Sequence, residues 1–465
     1  MKGVILLAIV FLARRFAVAW GCMAVMATGS CGGKSNARLG EVPAEASKAV
    51  RVVEVRDGFQ LQRQGKPYRI RGAGGTQYYD RLREAGGNSV RLWSTDYARP
   101  LLDEAHRQGL TVHLGLWLEP EGGKIDYYDR TAVQEQLQRL RMQVLRYRNH
   151  PALLMWSVGN ELDLSKLNPK IFAAINEVAV MIHGLDSNHP VTTAIAHLDI
   201  IPTLQRWAPA VDILSINIYG GLLTASKTIR QRGWTGPYII SEFGAEGSWE
   251  AEQTPWKSSL EQTSGVKAAY VAQRYRRTVV DDSARCLGSY VFFWGTKWES
   301  TPTWFGLFSA EGEKTLLVDT LQCLWQGKQP KNYAPSILRL ELDSQRAVNF
   351  PRLRPGANYL ARYVSSDAEE DELTAHWEVW PEGRISGGVR SIEESEPLTG
   401  YISHATRQQA LLQAPQRAGA YRLFLWLRDG HGGVATANIP FYCDSISKNT
   451  DIKPVRYLRG ITLVK

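Results

Sequence analysis

Cysteine is scarce in this chain, with five residues in 465, and no two cysteines form a CxxC pair. No Cys/His cluster has the spacing of a metal site, so zinc modules and disulfide-stapled domains are excluded, and we expect no metal. Once Cys22 and Cys31 are assigned to the N-terminal segment, Cys286, Cys323 and Cys443 remain. Cys286 and Cys323 could pair, but buried free thiols are the expected state.

Long hydrophobic runs are also missing. The two apolar runs near the N-terminus, 3–13 and 16–26, are separated by Arg14-Arg15, and each is shorter than the ~20 residues of a spanning helix. This pattern is typical of an export signal. Small residues before Cys31 resemble a bacterial lipoprotein signal, in which Cys31 is lipidated, although Thr28 stands where that pattern usually has Leu.

Three alternatives to the lipoprotein interpretation remain: a simple cleaved signal, an uncleaved anchor and a mere hydrophobic N-terminal helix. The first two, like the lipoprotein, place the globular part outside the cytoplasm: periplasmic, on the outer membrane or secreted. We therefore expect contact with a membrane only through an N-terminal lipid anchor.

A strong charge imbalance is absent too. The net charge is +9, and three of these positive charges (Lys2, Arg14 and Arg15) lie in the predicted signal. A polyanion-binding face normally clusters Lys and Arg. The densest basic run, Arg139 to Arg148, lies on a predicted barrel helix, where a solvated face is expected. We expect no nucleic-acid partner.

Short β-branched or aromatic runs alternate with long amphipathic segments, which is typical of βα units. Eight strands are predicted, at 68–73, 89–93, 111–117, 153–158, 191–196, 213–219, 238–241 and 289–294. Helical periodicity is clearest at 132–147, 171–182 and 268–280. Eight such units predict an α/β fold of the (β/α)8 TIM-barrel type. A doubly wound open sheet is the alternative, but residues 72–75 lack the spacing of a phosphate-binding loop.

The domain organisation follows from changes in periodicity. A small hairpin around Gly65-Lys66 precedes the barrel and is expected to cap its bottom. After the barrel, period-two alternation predicts a small all-β, Ig-like sandwich. The predicted segments are 1–31 (signal), 32–51 (linker), 52–328 (barrel), 329–336 (linker), 337–443 (sandwich) and 444–465 (basic tail).

Two glutamates end predicted barrel strands. Asn160-Glu161 follows the fourth strand, and Ser241-Glu242-Phe243-Gly244 follows the seventh. Catalytic groups of such barrels lie at the carboxyl ends of the strands, and a carboxylate there needs partners or a function. Either glutamate alone could cap a helix or pair with Arg91, but two at strand tips match the paired carboxylates of glycoside cleavage.

At these motifs the chain resembles the clan A glycoside hydrolases, and most closely the family 2 barrel domain of β-galactosidase and β-glucuronidase relatives. The resemblance implies that Glu161 is the general acid/base and Glu242 the nucleophile of a retaining reaction, with carboxyl groups about 5.5 Å apart. It also implies roles for four more residues. Arg91 would lie beneath the nucleophile, Asn160 would hold the sugar 2-hydroxyl, Tyr219 would hydrogen-bond the nucleophile and Trp294 would floor the subsite. His113, on the third strand, is left as a core or rim residue.

Full-length family 2 members carry sandwich domains before the barrel, but the stretch from Cys31 to the first predicted strand is too short for one. An open cleft acting on a polysaccharide is therefore expected. The 15 tryptophans support this expectation, because indoles pack on sugar rings. The candidate platforms in loops are Trp93, Trp117, Trp249, Trp256, Trp298 and Trp304, whereas Trp156, Trp207 and Trp325 are expected in the core. Segment 242–265 is predicted to form one wall of the cleft.

The resulting hypothesis is a retaining β-glycoside hydrolase acting on a β-linked glucan or related polysaccharide. Transglycosylation remains open, because water and a second sugar compete for the same intermediate. The alternative is a catalytically inactive, carbohydrate-binding surface lipoprotein. Neither hypothesis requires a cofactor, and neither specifies an oligomeric state.

Overall fold

The computed structural model describes residues 50–164, 168–383, 385–386, 389–390, 392 and 395–445. The predicted signal, Cys31 and most of the predicted tail lie outside these residues. Within the described part of the chain, every helix is too short or too polar to span a membrane. The three thiols of this part are free, and those of Cys286 and Cys443 are buried.

Eight parallel strands close into a barrel, in the order in which they follow one another along the chain. The predicted (β/α)8 barrel is therefore confirmed, and each predicted strand is present with its ends moved by a few residues. The strands are almost entirely buried, which explains their continuous apolar character. They are β4 (Ile70–Gly74), β5 (Ser89–Leu92), β6 (Thr111–Leu116), β7 (Leu153–Asn160), β8 (Val191–Ile195), β9 (Ile213–Asn217), β10 (Tyr238–Phe243) and β11 (Cys286–Val291).

Helices cover the outside of the barrel and begin at recognisable caps. Asp129 caps α3 by accepting hydrogen bonds from the amides of Thr131 and Ala132, and Asn168 and Thr263 cap α4 and α7 in the same way. The helices are α1 (Tyr79–Glu84), α2 (Ala98–Arg107), α3 (Arg130–Tyr147), α4 (Pro169–Leu185), α5 (Ile201–Trp207), α6 (Leu222–Gln231), α7 (Ser264–Arg274) and α8 (Leu316–Gln326). A π-helical turn, Tyr275–Val280, extends α7, and short 3-10 turns span Leu198–Ile200 and Ala347–Asn349.

A three-stranded antiparallel sheet precedes the barrel, formed by β1 (Val50–Val55), β2 (Gly58–Arg63) and β3 (Lys66–Pro67). Its main turn lies between β1 and β2, one hairpin earlier than the predicted turn at Gly65-Lys66, which joins β2 to β3. Val50 and Leu61 pack with Leu154, Ile213 and Leu287 at the starts of barrel strands. The sheet therefore caps the N-terminal end of the barrel, as expected.

The C-terminal part is a β-sandwich of two four-stranded sheets. One sheet holds, in order, β12 (Ser336–Leu342), β14 (Asn358–Ser366), β19 (Gln409–Gln413) and β18 (Ile402–Ser403); the other holds β13 (Arg352–Leu353), β21 (Val434–Cys443), β20 (Gly419–Arg428) and β15 (Thr374–Pro381). Alternate residues of these strands, such as Leu423 and Leu425, fill the core between the sheets. A separate pair, β16 (Ile385–Ser386) and β17 (Val389–Arg390), forms a small ribbon.

A buried polar network joins the sandwich to the barrel. Glu261 accepts hydrogen bonds from Lys267 and Thr301 of the barrel and from Asn438 of β21. Arg422 of β20 donates to Glu382 and to the backbone oxygen of Ser259, at 2.8 and 2.9 Å. Because buried charges require paired partners, this network holds the two parts in one relative position.

Candidate active site

A cavity of about 780 Å³ opens at the carboxyl ends of the barrel strands, and Glu161 and Glu242 both line it. Its volume lies in the range of small-molecule sites. The walls come from the ends of β5, β7, β8, β9, β10 and β11 and the loops that follow them. The lining residues are Trp93, Asn160, Glu161, Leu164, Ala196, His197, Asn217, Ile218, Tyr219, Glu242, Trp249, Glu250, Phe292, Phe293, Lys297 and Glu299.

Glu242 lies inside β10, one residue before the strand ends, and it is only 6% exposed. Its Oε1 accepts hydrogen bonds from Trp93 Nε1 at 2.7 Å and Asn217 Nδ2 at 3.0 Å, and from a guanidinium nitrogen of Arg91. Its Oε2 accepts from the Tyr219 hydroxyl at 2.9 Å. Four donors, one of which is the charged Arg91, therefore hold this carboxyl group in place.

The surroundings of Glu161 are different. Among the described residues, its carboxyl accepts one hydrogen bond, from Asn217 Nδ2 at 2.8 Å, and forms no ion pair with a cation. Burial, the negative charge of Glu242 and that of Asp163 raise the pKa of Glu161 to about 7, against the lowering effects of Asn217 and Arg91. Glu161 therefore keeps its proton to a much higher pH than an ordinary glutamate does, as a general acid requires.

The chain reverses sharply where Glu161 leaves β7. Gly159 has φ 72° and Glu161 has φ 51°, both in the left-handed region. A non-glycine residue in this region is uncommon and is held there by its surroundings. The Glu161 amide donates to the backbone oxygen of Ala194 at 2.9 Å, which ties the turn to β8 and aims the carboxyl into the cavity.

Asn217, the last residue of β9, bridges the two carboxyl groups. Its single Nδ2 is 2.8 Å from Glu161 Oε1 and 3.0 Å from Glu242 Oε1, while Ser241 Oγ donates to its Oδ1 at 2.7 Å. No sequence motif predicts a role for Asn217, although it stands two residues before Tyr219 at a strand end. Residues two apart in a strand point to the same side, so the spacing between Asn217 and Tyr219 could have placed Asn217 in the site.

Arg91 and Asn160 lie directly beneath and beside Glu242. Arg91 is 1% exposed, and its second terminal nitrogen donates to Asn160 Oδ1 at 2.7 Å. Asn217 donates to the same oxygen at 3.0 Å, so the Asn160 amide is oriented with its oxygen toward these partners. Asn160 also lines the cavity.

Four aromatic rings form the walls next to the carboxyl groups. They are Trp93, Trp249, Phe292 and Phe293. Trp249, which is 54% exposed, meets the Tyr219 ring edge to face at 5.4 Å. Trp93 lies parallel to Phe293 at 6.0 Å. Phe292 is buried behind the wall, whereas the partly exposed Trp93 and Phe293 and the exposed Trp249 are able to pack on sugar faces.

Trp294 is not one of these rings, and its predicted role as a platform is wrong. It is 1% exposed, its indole N–H donates to the backbone oxygen of Tyr78 at 2.9 Å, and it packs on Phe308 and Trp325. The physical reason is that β11 ends at Val291, three residues before the predicted end of the strand. Phe292 and Phe293 therefore occupy the rim, and Trp294 turns into the core.

The other predicted tryptophan platforms are distributed over several places. Trp117 is 46% exposed and does not line the cavity, and Trp298 lines a second cavity against the sandwich. Trp256 and Trp304 are buried, so they are not platforms, whereas Trp207, expected in the core, is partly exposed on α5. Of segment 242–265, only Glu242, Trp249 and Glu250 reach the cavity.

His113 is a core residue. It is fully buried in β6, its Nε2 is 2.9 Å from Thr192 Oγ1, and burial holds its pKa well below the usual value. Among the described residues, the one acidic cluster with metal-like spacing is Asp367, Glu369 and Asp371 of the sandwich, outside the cavity lining.

Comparison with known proteins finds one family whose barrel domain is similar to this one. Residues 97–302 match the model "Glycosyl hydrolases family 2, TIM barrel domain", a stretch that contains Glu161, Asn217 and Glu242. The chain is 27% identical to the β-glucuronidase of Chlorocebus aethiops over 186 residues, and 32% identical to that of Mus musculus over 189 residues. Each match covers 36% of this chain and 27% of the relative, so the chain spans about a quarter of the curated relatives it matches.

Solved structures share less sequence identity with this chain than these relatives do. A β-glucuronidase of Bacteroides uniformis matches with a TM-score of 0.47 and 17% identity, over 85% of this chain and 48% of that one. A β-D-glucuronidase of Dictyoglomus thermophilum matches with a TM-score of 0.48 and 17% identity, over 60% of this chain and 54% of that one.

Proposed function

We propose that this chain, which carries a family 2-like TIM-barrel domain, is a retaining β-glycoside hydrolase that works by double displacement. The observation that carries the proposal is the contact of one amide, Asn217 Nδ2, with both carboxyl groups. Two oxygens at 2.8 and 3.0 Å from one nitrogen lie closer together than the ~6.5 Å lower limit of inverting enzymes. That spacing leaves no room for a water molecule between carboxylate and sugar, so it supports direct attack.

In the first step, Glu242 attacks the anomeric carbon from one face of the sugar ring. The bond to the leaving oxygen breaks on the opposite face, and the proton of Glu161 is transferred to that oxygen. The donors around Glu242 hold its carboxyl group in position for the attack. Once Glu242 becomes a neutral ester, the repulsion that raised the pKa of Glu161 disappears, which favours the carboxylate form of Glu161.

In the second step, Glu161 acts as the base. It removes a proton from water, the oxygen attacks the anomeric carbon, and the bond to Glu242 breaks to regenerate both groups. Two inversions leave the anomeric configuration unchanged. A sugar hydroxyl in place of water would give transglycosylation by the same route, so the acceptor decides between the two outcomes.

For the substrate, we propose a β-linked glucan or related polysaccharide. The cavity is open to solvent and walled by Trp93, Trp249, Phe292 and Phe293, which supports binding of sugar rings on more than one side. The similar proteins are named β-glucuronidases, and Lys297 on the cavity wall offers a cation for an acidic sugar. Glucuronides therefore belong in the same substrate panel. We also propose that the protein acts outside the cytoplasm, as its N-terminal pattern predicts.

The test is substitution of each glutamate, measured with aryl β-glycosides and with β-glucans, β-mannans, galactans and glucuronides. We expect Glu242→Ala to abolish turnover. Glu161→Ala should slow cleavage of unactivated substrates by about 10²–10⁴-fold, and of substrates with activated leaving groups far less. NMR of the first-formed product should show the β-anomer.

Glu135→Ala is the matched control, because Glu135 is exposed on α3, and it should retain full activity. Full activity of Glu242→Ala on a proven substrate, or an α-anomer as first product, would refute the mechanism. Binding without product release after long incubation would instead favour the non-catalytic carbohydrate-binding protein.

A further inference from the structure

A second cavity, of about 510 Å³, lies between the barrel and the sandwich. One side is the loop after β11, which contributes Thr296 and Trp298. The other side is the outer face of the sheet formed by β13, β21, β20 and β15, which contributes His376, Trp380 and Trp426. We call this cavity the sandwich groove.

The outer face of that sheet is aromatic, although strand alternation would normally place polar residues there. On β20, Leu423, Leu425 and Leu427 point into the sandwich core, so Phe424 and Trp426 point outward. His376 pairs directly with Trp426 across the strands, and their rings are 6.0 Å apart. Phe424 and Trp380 are buried, whereas Trp426 is partly exposed and His376 is exposed. Aromatic rings that remain accessible on one face often mark a binding site.

The rings are arranged as platforms with polar edges. Trp426 stacks on the buried Phe424 at 5.2 Å and 24°, which fixes its plane. Trp298, which is 44% exposed, meets Trp380 edge to face at 5.6 Å. Within the described residues, neither the Trp298 nor the Trp426 indole N–H donates a hydrogen bond, whereas the Trp380 N–H donates to Glu378 at 2.8 Å. Two flat rings with free donors beside carboxylate and imidazole groups match the C–H faces and hydroxyls of sugars.

The sandwich groove and the catalytic cavity share one wall. Along the loop after β11, Lys297 and Glu299 line the catalytic cavity, while Thr296 and Trp298 line the groove. Consecutive residues thus face opposite sides of a single strip of backbone. A sugar chain that leaves the catalytic cavity over this strip would meet Trp298 next.

The groove is held in one shape by its surroundings. Arg428 at its edge pairs with Glu313 through two contacts of 2.9 Å, and the buried Arg422 ties β20 to the barrel by donating to the backbone oxygen of Ser259. A site whose walls come from two domains keeps its affinity only if the domains hold a fixed relative position. These contacts fix that position.

We propose that the sandwich groove binds β-linked oligosaccharide, with Trp298 and Trp426 as its platforms, outside the catalytic cavity. This inference rests on the proposed function for the identity of the chain that occupies it. The groove retains the polymer while the catalytic cavity cleaves it, so it acts on polymeric substrates and not on small ones.

The test is native affinity electrophoresis of the full chain in gels that contain soluble β-1,3/1,4-glucan, β-1,3-glucan, β-mannan or β-galactan. We expect the unsubstituted protein to be retarded in at least one gel. Trp298→Ala/Trp426→Ala should weaken that retardation at least tenfold, while aryl β-glycoside turnover stays within twofold, because neither residue lines the catalytic cavity. Trp207→Ala, an equally large change at a partly exposed tryptophan on α5, is the matched control and should behave as the unsubstituted protein.

Three results would overturn the proposal. They are no retardation of the unsubstituted protein in any gel, unchanged retardation of the double variant, and a dimer in light scattering that dissociates in the double variant with unchanged retardation. Trp298→Phe/Trp426→Phe, which keeps a ring at each position, should restore most of the retardation and excludes misfolding as the cause. The alanine variant could lose retardation while the unsubstituted protein turns over none of the substrates. That outcome would support oligosaccharide binding in the sandwich groove and would refute only the proposed hydrolase function.

Discussion

Two residues of the same type have different surroundings in this cavity. Glu242 is surrounded by Arg91, Trp93, Asn217 and Tyr219, all of which donate to it, whereas Glu161 receives one donor from the described part of the chain. A carboxyl group with many donors is stabilised as an anion, and one that is buried beside an anion retains its proton. The division into acid and nucleophile that we propose therefore depends on contacts and not on residue type.

Asn217→Ala should change both the rate and the pH profile. Since the Asn217 hydrogen bond lowers the pKa of Glu161, its loss should raise that pKa above about 7 and move the alkaline limb of kcat/KM to higher pH. The maximal rate should fall about tenfold to a hundredfold, because both carboxyl groups lose a common anchor. Asn349→Ala, at an exposed position of the sandwich, should leave the profile unchanged. An unmoved alkaline limb in Asn217→Ala would contradict this role.

Glu161→Gln should stabilise the protein at alkaline pH. The pKa of Glu161 in the folded chain, about 7, is above its ordinary value of 4.5, so the folded state holds the proton more tightly than the unfolded state. That stabilisation is complete below pH 4.5 and is lost as pH rises through 7. At pH 8 the neutral glutamine should therefore raise the free energy of unfolding by on the order of 1–3 kcal/mol, and at pH 4 it should change little. Urea unfolding at the two pH values measures this, with Glu135→Gln as the exposed control; equal effects at both pH values would disprove it.

At the scale of elements, the ends of strands decide which side chains reach the cavity. β7 continues to Asn160 and then reverses at Glu161, β10 continues past Glu242, and β11 ends early at Val291. When a strand ends earlier or later than predicted, a different residue of the following segment reaches the rim of the cavity. This is why the glutamates were located correctly and Trp294 was not.

Gly159→Ala should damage both stability and activity. Gly159 has φ 72°, and a Cβ there would lie 2.6 Å from Leu162 Cδ1, so the turn that aims Glu161 would have to move. We expect a loss of about 1–3 kcal/mol and a fall in kcat/KM. Gly109→Ala is the matched control, since φ is 69° but nothing lies within 4 Å of its Cβ position. It should cost about 1 kcal/mol with unchanged kcat/KM. Equal loss of activity in both variants would refute a specific role for this turn.

At the scale of the whole molecule, the barrel and the sandwich behave as one body because charges are buried between them. Arg422 and Glu382 have side-chain exposures of 2% and 1%, and Glu261, Lys267 and Asn438 complete the network. Breaking one buried partner leaves the other uncompensated, which costs far more than breaking a surface pair.

Arg422→Ala should therefore destabilise the protein by about 3–5 kcal/mol and separate the unfolding of the two parts. Denaturant unfolding followed by circular dichroism and by tryptophan fluorescence should give two non-coincident transitions in this variant. Arg407→Ala removes an Arg–Glu pair whose side chains are 74% and 73% exposed, and it should change stability by less than about 1 kcal/mol. Coincident transitions and a small effect in Arg422→Ala would show that the interface is not what couples the two parts.

The sequence by itself determined the barrel, the sandwich and the position of Glu161 and Glu242 at the ends of strands. These follow from hydrophobic period and element order, which are properties of local stretches of chain. The bridging role of Asn217, the burial of Trp294 and the place of Trp298 in the sandwich groove were decided only by the tertiary structure. Each depends on where a strand stops and on which distant segment packs against it. The pKa of Glu161 belongs to the same class, because burial and the charge of Glu242 act through space between segments that are far apart along the chain.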